Sequence, residues 1–329
     1  MPPRHWLSRS HPFAILLRPL AWLFGRLRAL RVWLYDFKIF KTYRFSVPVV
    51  VVGNVVAGGV GKTPLVIKLV QHLLHMGYQP GVVSRGYRRK SKACLIVTNR
   101  STAAEVGDEP LLIARACQVP VVVAFDRVEA AKTLLAAHPT CNVLVSDDGL
   151  QHLALGRDIE IVLFDERGVG NNWLLPAGPL REPWPRKPRC RTHLVLSDVA
   201  RSLASYALDM SEQQYGLSTL ADQTLHALAG IAKPDTFFQM LRDQGLTLVS
   251  TNSYSDHEDF SKSNVTNKLA SDPSAIWLCT EKDAVKLWDC YPEHAHRILA
   301  VPLVVDLDVT FLSVFDVTIH SLIQQPKTL

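Results

Sequence analysis

Short β-branched runs alternate with stretches of helical periodicity through the first two-thirds of the chain. Val49–Val52 and the segments at 81–85 (GVVSR), 94–98 (CLIVT), 119–125 (VPVVVAF), 142–146 (NVLVS) and 159–164 (IEIVLF) are apolar without alternation. That is the pattern of strands buried on both faces. Between them EPLLIARAC and DRVEAAKTLLAAH read as helices, with Asp126 placed to cap the second and Glu129 three residues on. Such alternation predicts an α/β fold: a mostly parallel sheet flanked by helices, with ligands at the carboxyl ends of its strands. The pattern lapses between Gly168 and Arg191 into a proline- and arginine-rich loop. A second α/β pattern then follows, with strands expected at TLHALAGI, AIWLCT and ILAVPLVV and a helix at PDTFFQMLRDQG.

The first run leads into VGNVVAGGVGKTPL. A strand, a glycine-rich turn and a helix starting at Lys62 would aim backbone N–H groups and the helix dipole at a phosphate. The turn departs from the usual spacing, since Val56 stands where the first glycine of the phosphate-loop motif belongs. Gly58, Gly59, Val60, Gly61, Lys62 and Thr63 are nevertheless expected to cradle a nucleotide, with Lys62 on its terminal phosphates and the Thr63 hydroxyl on Mg²⁺. Leu65, Leu69, Leu73 and Met76 share one face of the following helix, and Gly77 suits its exit. Pro64 is tolerated in the first turn.

With this loop placed, the chain divides into an N-terminal segment (1–45), a nucleotide-binding domain of P-loop type (46–215) and a smaller C-terminal α/β domain (216–329). The length of 329 residues is ample for two cores. A net charge of +6 points to an acidic partner, whether nucleotide, nucleic acid or anionic lipid. The six cysteines fall into neither a C-x-x-C pair nor a zinc spacing, as expected of buried thiols in a reducing compartment. No recognised nucleic-acid module and no obligate protein partner is indicated, and no apolar run reaches the length of a membrane span.

The N-terminal stretch FAILLRPLAWLFGRLRALRVWLYDFKIF mixes large apolar side chains with Arg18, Arg26, Arg28, Arg31 and Lys38, against the single acid Asp36. It reads as a basic amphipathic helix for an anionic membrane surface, or as a helix packed on the main domain with its arginines outward. One face on protein and another on lipid satisfies both. Pro19 and Gly25 are expected to break or bend it.

NVLVSDDGLQH places Asp147 and Asp148 at the end of a strand, where a carboxylate beside the phosphate loop would serve Mg²⁺; Asp-Asp-Gly is also good turn chemistry. Taken with VGNVVAGGVGKTPLV, GVVSRGY, VGDEPLLIAR, LLPAGPLREP, HALAGIAKPDTFF and TEKDAVK, the chain resembles the tetraacyldisaccharide 4′-kinase family in motif order from residue 52 to 286. The resemblance implies transfer of the ATP γ-phosphoryl group to the 4′-hydroxyl of an acylated glucosamine disaccharide 1-phosphate, in lipid A biosynthesis. It also implies a peripheral protein on the cytoplasmic face of the bacterial inner membrane. By the same resemblance Gln151 and His152 belong to the nucleotide site, and Glu182 joins Thr63, Asp147 and Asp148 near the metal. Asp108 matches the proposed catalytic base, and His257 a histidine supporting it.

Asp108 is equally well placed to cap the helix that follows. Three positions depart from the family pattern: Val60 lacks a hydroxyl, Glu258 replaces a second histidine after His257, and AGIAKP replaces the commoner Gly-Asn before proline. A rival reading is a membrane-associated switch ATPase or GTPase, whose loop also reads Gly-Gly-Val-Gly-Lys-Thr. Ala57 stands where such proteins carry lysine, and no Asn-Lys-x-Asp motif is present.

Overall fold

The computed structural model describes residues 3–324 apart from 198, 257 and 263. His257 therefore lies outside the described residues. Two helices open the chain, α1 (Pro12–Leu16) and α2 (Arg18–Asp36). The first domain follows: β1 (Val49–Gly53), α3 (Lys62–His75), β2 (Pro80–Ser84), β3 (Leu95–Ile96), α4 (Ala103–Val106), α5 (Asp108–Cys117), β4 (Val121–Val123), α6 (Arg127–Ala137), β5 (Val143–Asp147), β6 (Ile159–Leu163) and β7 (Thr192–Leu196).

These strands form one seven-stranded sheet in the order β3-β4-β2-β5-β1-β6-β7. All neighbours are parallel except the short edge strand β3, which runs antiparallel to β4. The expected 94–98 strand is thus trimmed to its two central residues. The strands β1, β2, β5 and β6 are buried along their whole length, because helices cover both faces. Leu65, Leu69 and Leu73 of α3 pack into one face, and Gly77 leaves the helix at φ +83°. Asp126 caps α6 by accepting from Val128 N at 2.8 Å.

The second domain comprises β8 (Arg201–Leu203), β9 (Tyr206–Leu208), β10 (Gln214–Gly216), α7 (Leu217–Leu220), β11 (Leu225–Ala229), α8 (Pro234–Asp243), β12 (Leu248–Ser253), α9 (Val265–Ser271), β13 (Ile276–Thr280), α10 (Glu281–Cys290), β14 (Ile298–Val301) and β15 (Leu303–Val305). Its six-stranded sheet runs β10-β9-β14-β13-β11-β12, while β8 and β15 pair as a separate antiparallel ribbon through which the chain enters and leaves. The second sheet begins at Tyr206, before the boundary drawn at 216. The last helix, α11 (Val309–Gln324), returns to the first domain, burying Phe311, Phe315 and Ile319 against the core that holds Leu65 and Leu69. A contiguous cut at 215/216 therefore separates α11 from the core it completes.

Helix α2 runs unbroken through Gly25, and Pro19 sits in its first turn, where no intrahelical N–H is required. Gly25 serves close packing, since a Cβ there would lie 2.9 Å from Leu174 Cδ1. The inward stripe carries Ala21, Phe24, Gly25, Arg28 and Val32, while Leu20, Trp22, Leu23, Leu27 and Trp33 are exposed. Arg18, Arg26 and Arg31 face outward as expected, but Arg28 faces the protein and the bulk of the large apolar side chains face away from it. No helix among the described residues is long and apolar enough to cross a membrane.

Candidate active site

Sheet order places the glycine-rich loop beside the acidic pair. β1 and β5 are neighbours, and Val52, one residue before the loop, is paired with Asp147. The turn tolerates Val56 because that residue is not part of a tight glycine corner. It forms a β-bridge with Leu180, flanked by Ala57 N donating to Pro179 O and Arg181 N donating to Val55 O, both at 2.7 Å. Left-handed backbone is required only further on, at Gly58 (φ +108°) and Gly61 (φ +79°). Val60, where the family's hydroxyl would stand, is buried in the core of the first domain. The Gly59 and Val60 carbonyls accept from Arg167 at 3.2 Å and from Arg201 of β8 at 2.6 Å. The inter-domain ribbon therefore touches the phosphate loop directly.

Lys62 opens α3 with Thr63 buried beside it. Its Nζ donates to Asn54 Oδ1 at 3.2 Å and stands 3.7 Å from Asp148 Oδ1. Both oxygens of Asp148 accept from Arg181 at 3.1 Å, and Arg127 donates to the Asp148 carbonyl at 3.2 Å. Asp148 itself is held at φ +46°, an uncommon conformation that aspartate tolerates.

The two carboxylates are driven apart. Burial, then the nearby Glu109 and Asp148 charges, pushes Asp147 up; burial opposes the Asp148 charge too, but Lys62, Arg181 and Arg127 together outweigh it and hold Asp148 low. Asp147 Oδ2 accepts from Ser84 at 3.2 Å, while its Oδ1 is buried with no partner among the protein atoms. An orphaned carboxylate oxygen beside the phosphate loop is the feature a hard cation would satisfy. Among the described residues no three His, Cys, Asp or Glu side chains converge into a metal cage. The donor set suits Mg²⁺, which keeps waters and needs one or two carboxylates besides phosphate oxygens.

Glu182 and Gln151 play a different part in this structure. The buried Glu182 carboxylate pairs with Arg28 of α2 and, at 2.8 Å, with Arg186 through one oxygen. It accepts from Gln151 Nε2 at 2.9 Å through the other. Gln151 also donates to Asn54 O at 3.1 Å, and Asn54 in turn holds Lys62. Glu182 is thus a node between the N-terminal helix and the phosphate loop, with both oxygens engaged. His152 pairs with the α6 cap Asp126 at 3.0 Å. Burial and then the Arg127 charge push its imidazole down to about 4, so it is neutral near pH 7.

Asp108 opens α5 at the far side of the acidic pair. Gly107 is the N-cap, and Asp108 Oδ1 accepts from Glu109 N at 3.1 Å, so one carboxylate oxygen serves a first-turn N–H of the helix. Its other oxygen faces Lys282 and Lys286 of α10, each at 4.0 Å. Sequence reasoning singled out Lys62, Asp147, Asp148 and Asp108, and the structure brings them to one end of the sheet. It did not assign Asn54, Glu109, Arg127, Arg181 or Lys282. All of these stood inside quoted motifs, but a motif does not say which side chains meet.

A family model described as LpxK, tetraacyldisaccharide-1-P 4′-kinase, matches residues 13–320. The tetraacyldisaccharide 4′-kinase of a Polaromonas species (strain JS666) is 49% identical over 332 residues, covering 98% of this chain and 97% of its own. That of an Acidovorax species (strain JS42) is 48% identical over 325 residues, covering 96% and 94%. A crystal structure described as the "apo" form of LpxK from Aquifex aeolicus in complex with ATP superposes with a TM-score of 0.78 at 28% identity, covering 94% of this chain and 99% of that one. The match extends through nearly the whole length, and the chain belongs to the tetraacyldisaccharide-1-P 4′-kinase family.

Proposed function

We propose that the chain binds ATP at the Gly58–Thr63 loop and transfers its γ-phosphoryl group to the 4′-hydroxyl of an acylated glucosamine disaccharide 1-phosphate. The observation that carries this reading is the convergence of Lys62, Asp147, Asp148 and, through Glu109, the start of α5 at one end of the sheet. Phosphoryl transfer asks a protein mainly to position groups and neutralise charge. Lys62 and the α3 N-terminus supply positive potential for the phosphates, and Arg181 and Arg127 fix the acidic pair. Thr63, Asp147 and Asp148 would hold Mg²⁺, which would neutralise phosphate charge when bound; Glu182 would have to leave Arg28 and Arg186 to join them. Gln151 steadies the loop through Asn54, and His152 lies on the α6 side of the same end.

Asp108 is the group proposed to meet the acceptor hydroxyl, orienting its oxygen toward the phosphorus and receiving its proton late. The supporting role of His257 rests on the family resemblance. The exposed apolar face of α2, with Arg26 and Arg31 beside it, would lie in an anionic bilayer surface and bring the site to its lipid. On this reading the protein works at the cytoplasmic face of the inner membrane, where ATP and a membrane-held acceptor meet. ADP formation measured with and without the acylated disaccharide 1-phosphate tests the reading. Formation that depends on the glycolipid is expected, whereas equal rates in its absence would favour a switch ATPase.

A further inference from the structure

The segment TEKDAVK (280–286) forms the start of α10. Thr280 caps α10 by accepting from Asp283 N at 3.2 Å, and the buried Asp283 accepts from Gly230 N at 2.9 Å, tying the helix start to the AGIAKP turn. Lys282 and Lys286 are four residues apart and therefore share one face. That face is packed against α5 of the other domain. Each ammonium is held from its own side: Lys282 by Asp256 at 3.0 Å, Lys286 by Asp283 at 3.4 Å and by the Glu258 carbonyl at 3.3 Å. Both then stand 4.0 Å from the same oxygen of Asp108, and Lys282 is also 3.9 Å from Glu109. Arg88 of the first domain reaches across to the Asp256 carbonyl at 3.2 Å.

From this geometry we infer that Lys282 and Lys286 are positioning residues through which the second domain keeps the Asp108 carboxylate charged and aimed at the acceptor hydroxyl. Asp108 is buried in acidic company, with Glu109 next in sequence and Asp147 close to Glu109. Compensating charge has to come from elsewhere, and α10 delivers two ammonium groups to the oxygen not used by the Glu109 N–H. At 4.0 Å each ammonium acts on that oxygen through its charge and not through a hydrogen bond. Because the ammoniums and the carboxylate belong to different domains, the arrangement exists only when the domains are packed as they are here. The inference rests on Asp108 acting at the acceptor.

The test is a double-mutant cycle in the full-length protein, with Lys282→Met, Asp108→Asn and their combination, and with Lys282→Arg and Lys286→Met as further variants. Near-UV circular dichroism selects the folded proteins. Lys282→Met should lower kcat on the order of tenfold, with the KM for ATP unchanged. Lys282→Arg should recover most of that loss, and Lys286→Met should resemble Lys282→Met. In the Asp108→Asn background the added Lys282→Met should cost less than about twofold, because the lysine acts through the carboxylate. Equal losses in both backgrounds, with Asp108→Asn impaired, would overturn the lysine role and leave Asp108 in place. Full turnover in Asp108→Asn would remove Asp108 itself, and the lysine role with it.

Discussion

Lys62 Nζ stands 3.7 Å from Asp148 Oδ1, and the same carboxylate takes two contacts of 3.1 Å from Arg181. The lysine at the head of α3 is thus held by Asp148 and by Asn54. Because Asp148 keeps Arg181 when the lysine is removed, Lys62→Ala should leave the fold intact. It should reduce phosphoryl transfer on the order of 10³-fold or more. Turnover together with near-UV circular dichroism checks this. A folded variant with near-native turnover would remove the loop from the mechanism.

Asp147 carries an orphaned oxygen and Asp148 a fully engaged carboxylate. Asp147→Asn and Asp148→Asn should each lower turnover, and Asp147→Asn should demand more Mg²⁺ for half-maximal rate. Titration of activity against Mg²⁺ separates the two. An unchanged Mg²⁺ requirement in both variants would leave the pair as turn and anchor residues.

Arg28 and the outward leucines of α2 should behave differently under substitution. Removing the guanidinium from the buried Glu182 carboxylate, which keeps Arg186 and Gln151, should cost about 1–3 kcal/mol, visible in urea unfolding. Replacing the exposed Leu20 and Leu27 by glutamate should spare stability but weaken sedimentation with anionic vesicles and raise the KM for the glycolipid. Undiminished vesicle binding by the glutamate variant would mean that this face is not a lipid surface.

Glu281 gives the fold a built-in pH dependence. It lines a cavity of about 310 Å³ between the domains, and burial pushes its carboxyl up to about 7 from an ordinary 4.5. The folded protein therefore holds this proton more tightly than the unfolded chain. The contribution is fully present below pH 4.5 and is lost as pH rises through about 7. Glu281→Gln retains an acceptor for Leu303 N. It should match the native protein near pH 4.5 and exceed it on the order of 2 kcal/mol at pH 8.5. Thermal melts at the two pH values check the sign. A variant less stable than the native protein at pH 8.5 would contradict it.

What could be read along the chain was what depends on neighbours in sequence. The β-branched run of β1, the glycines, Lys62-Thr63 and the Asp147-Asp148 strand end each declare themselves within about ten residues. Their meeting follows from the rule that parallel sheets gather ligands at one end. What stayed hidden depends on partners far apart, such as Arg28 with Glu182, or Phe315 with the α3 core. The inward turn of Arg28 could not be read, because its partner is a carboxylate 154 residues away. Gly25 was misread because helix breaking and close packing call for the same residue.

The most direct measurement follows the γ-phosphoryl group itself. The protein, in anionic mixed micelles, is given ATP labelled at the γ-phosphorus and an acylated glucosamine disaccharide 1-phosphate with a free 4′-hydroxyl. The expected result is one labelled phosphomonoester on the glycolipid for each ADP formed, located at the 4′ position by ³¹P NMR. Label recovered as inorganic phosphate, with the glycolipid unchanged, would contradict the account.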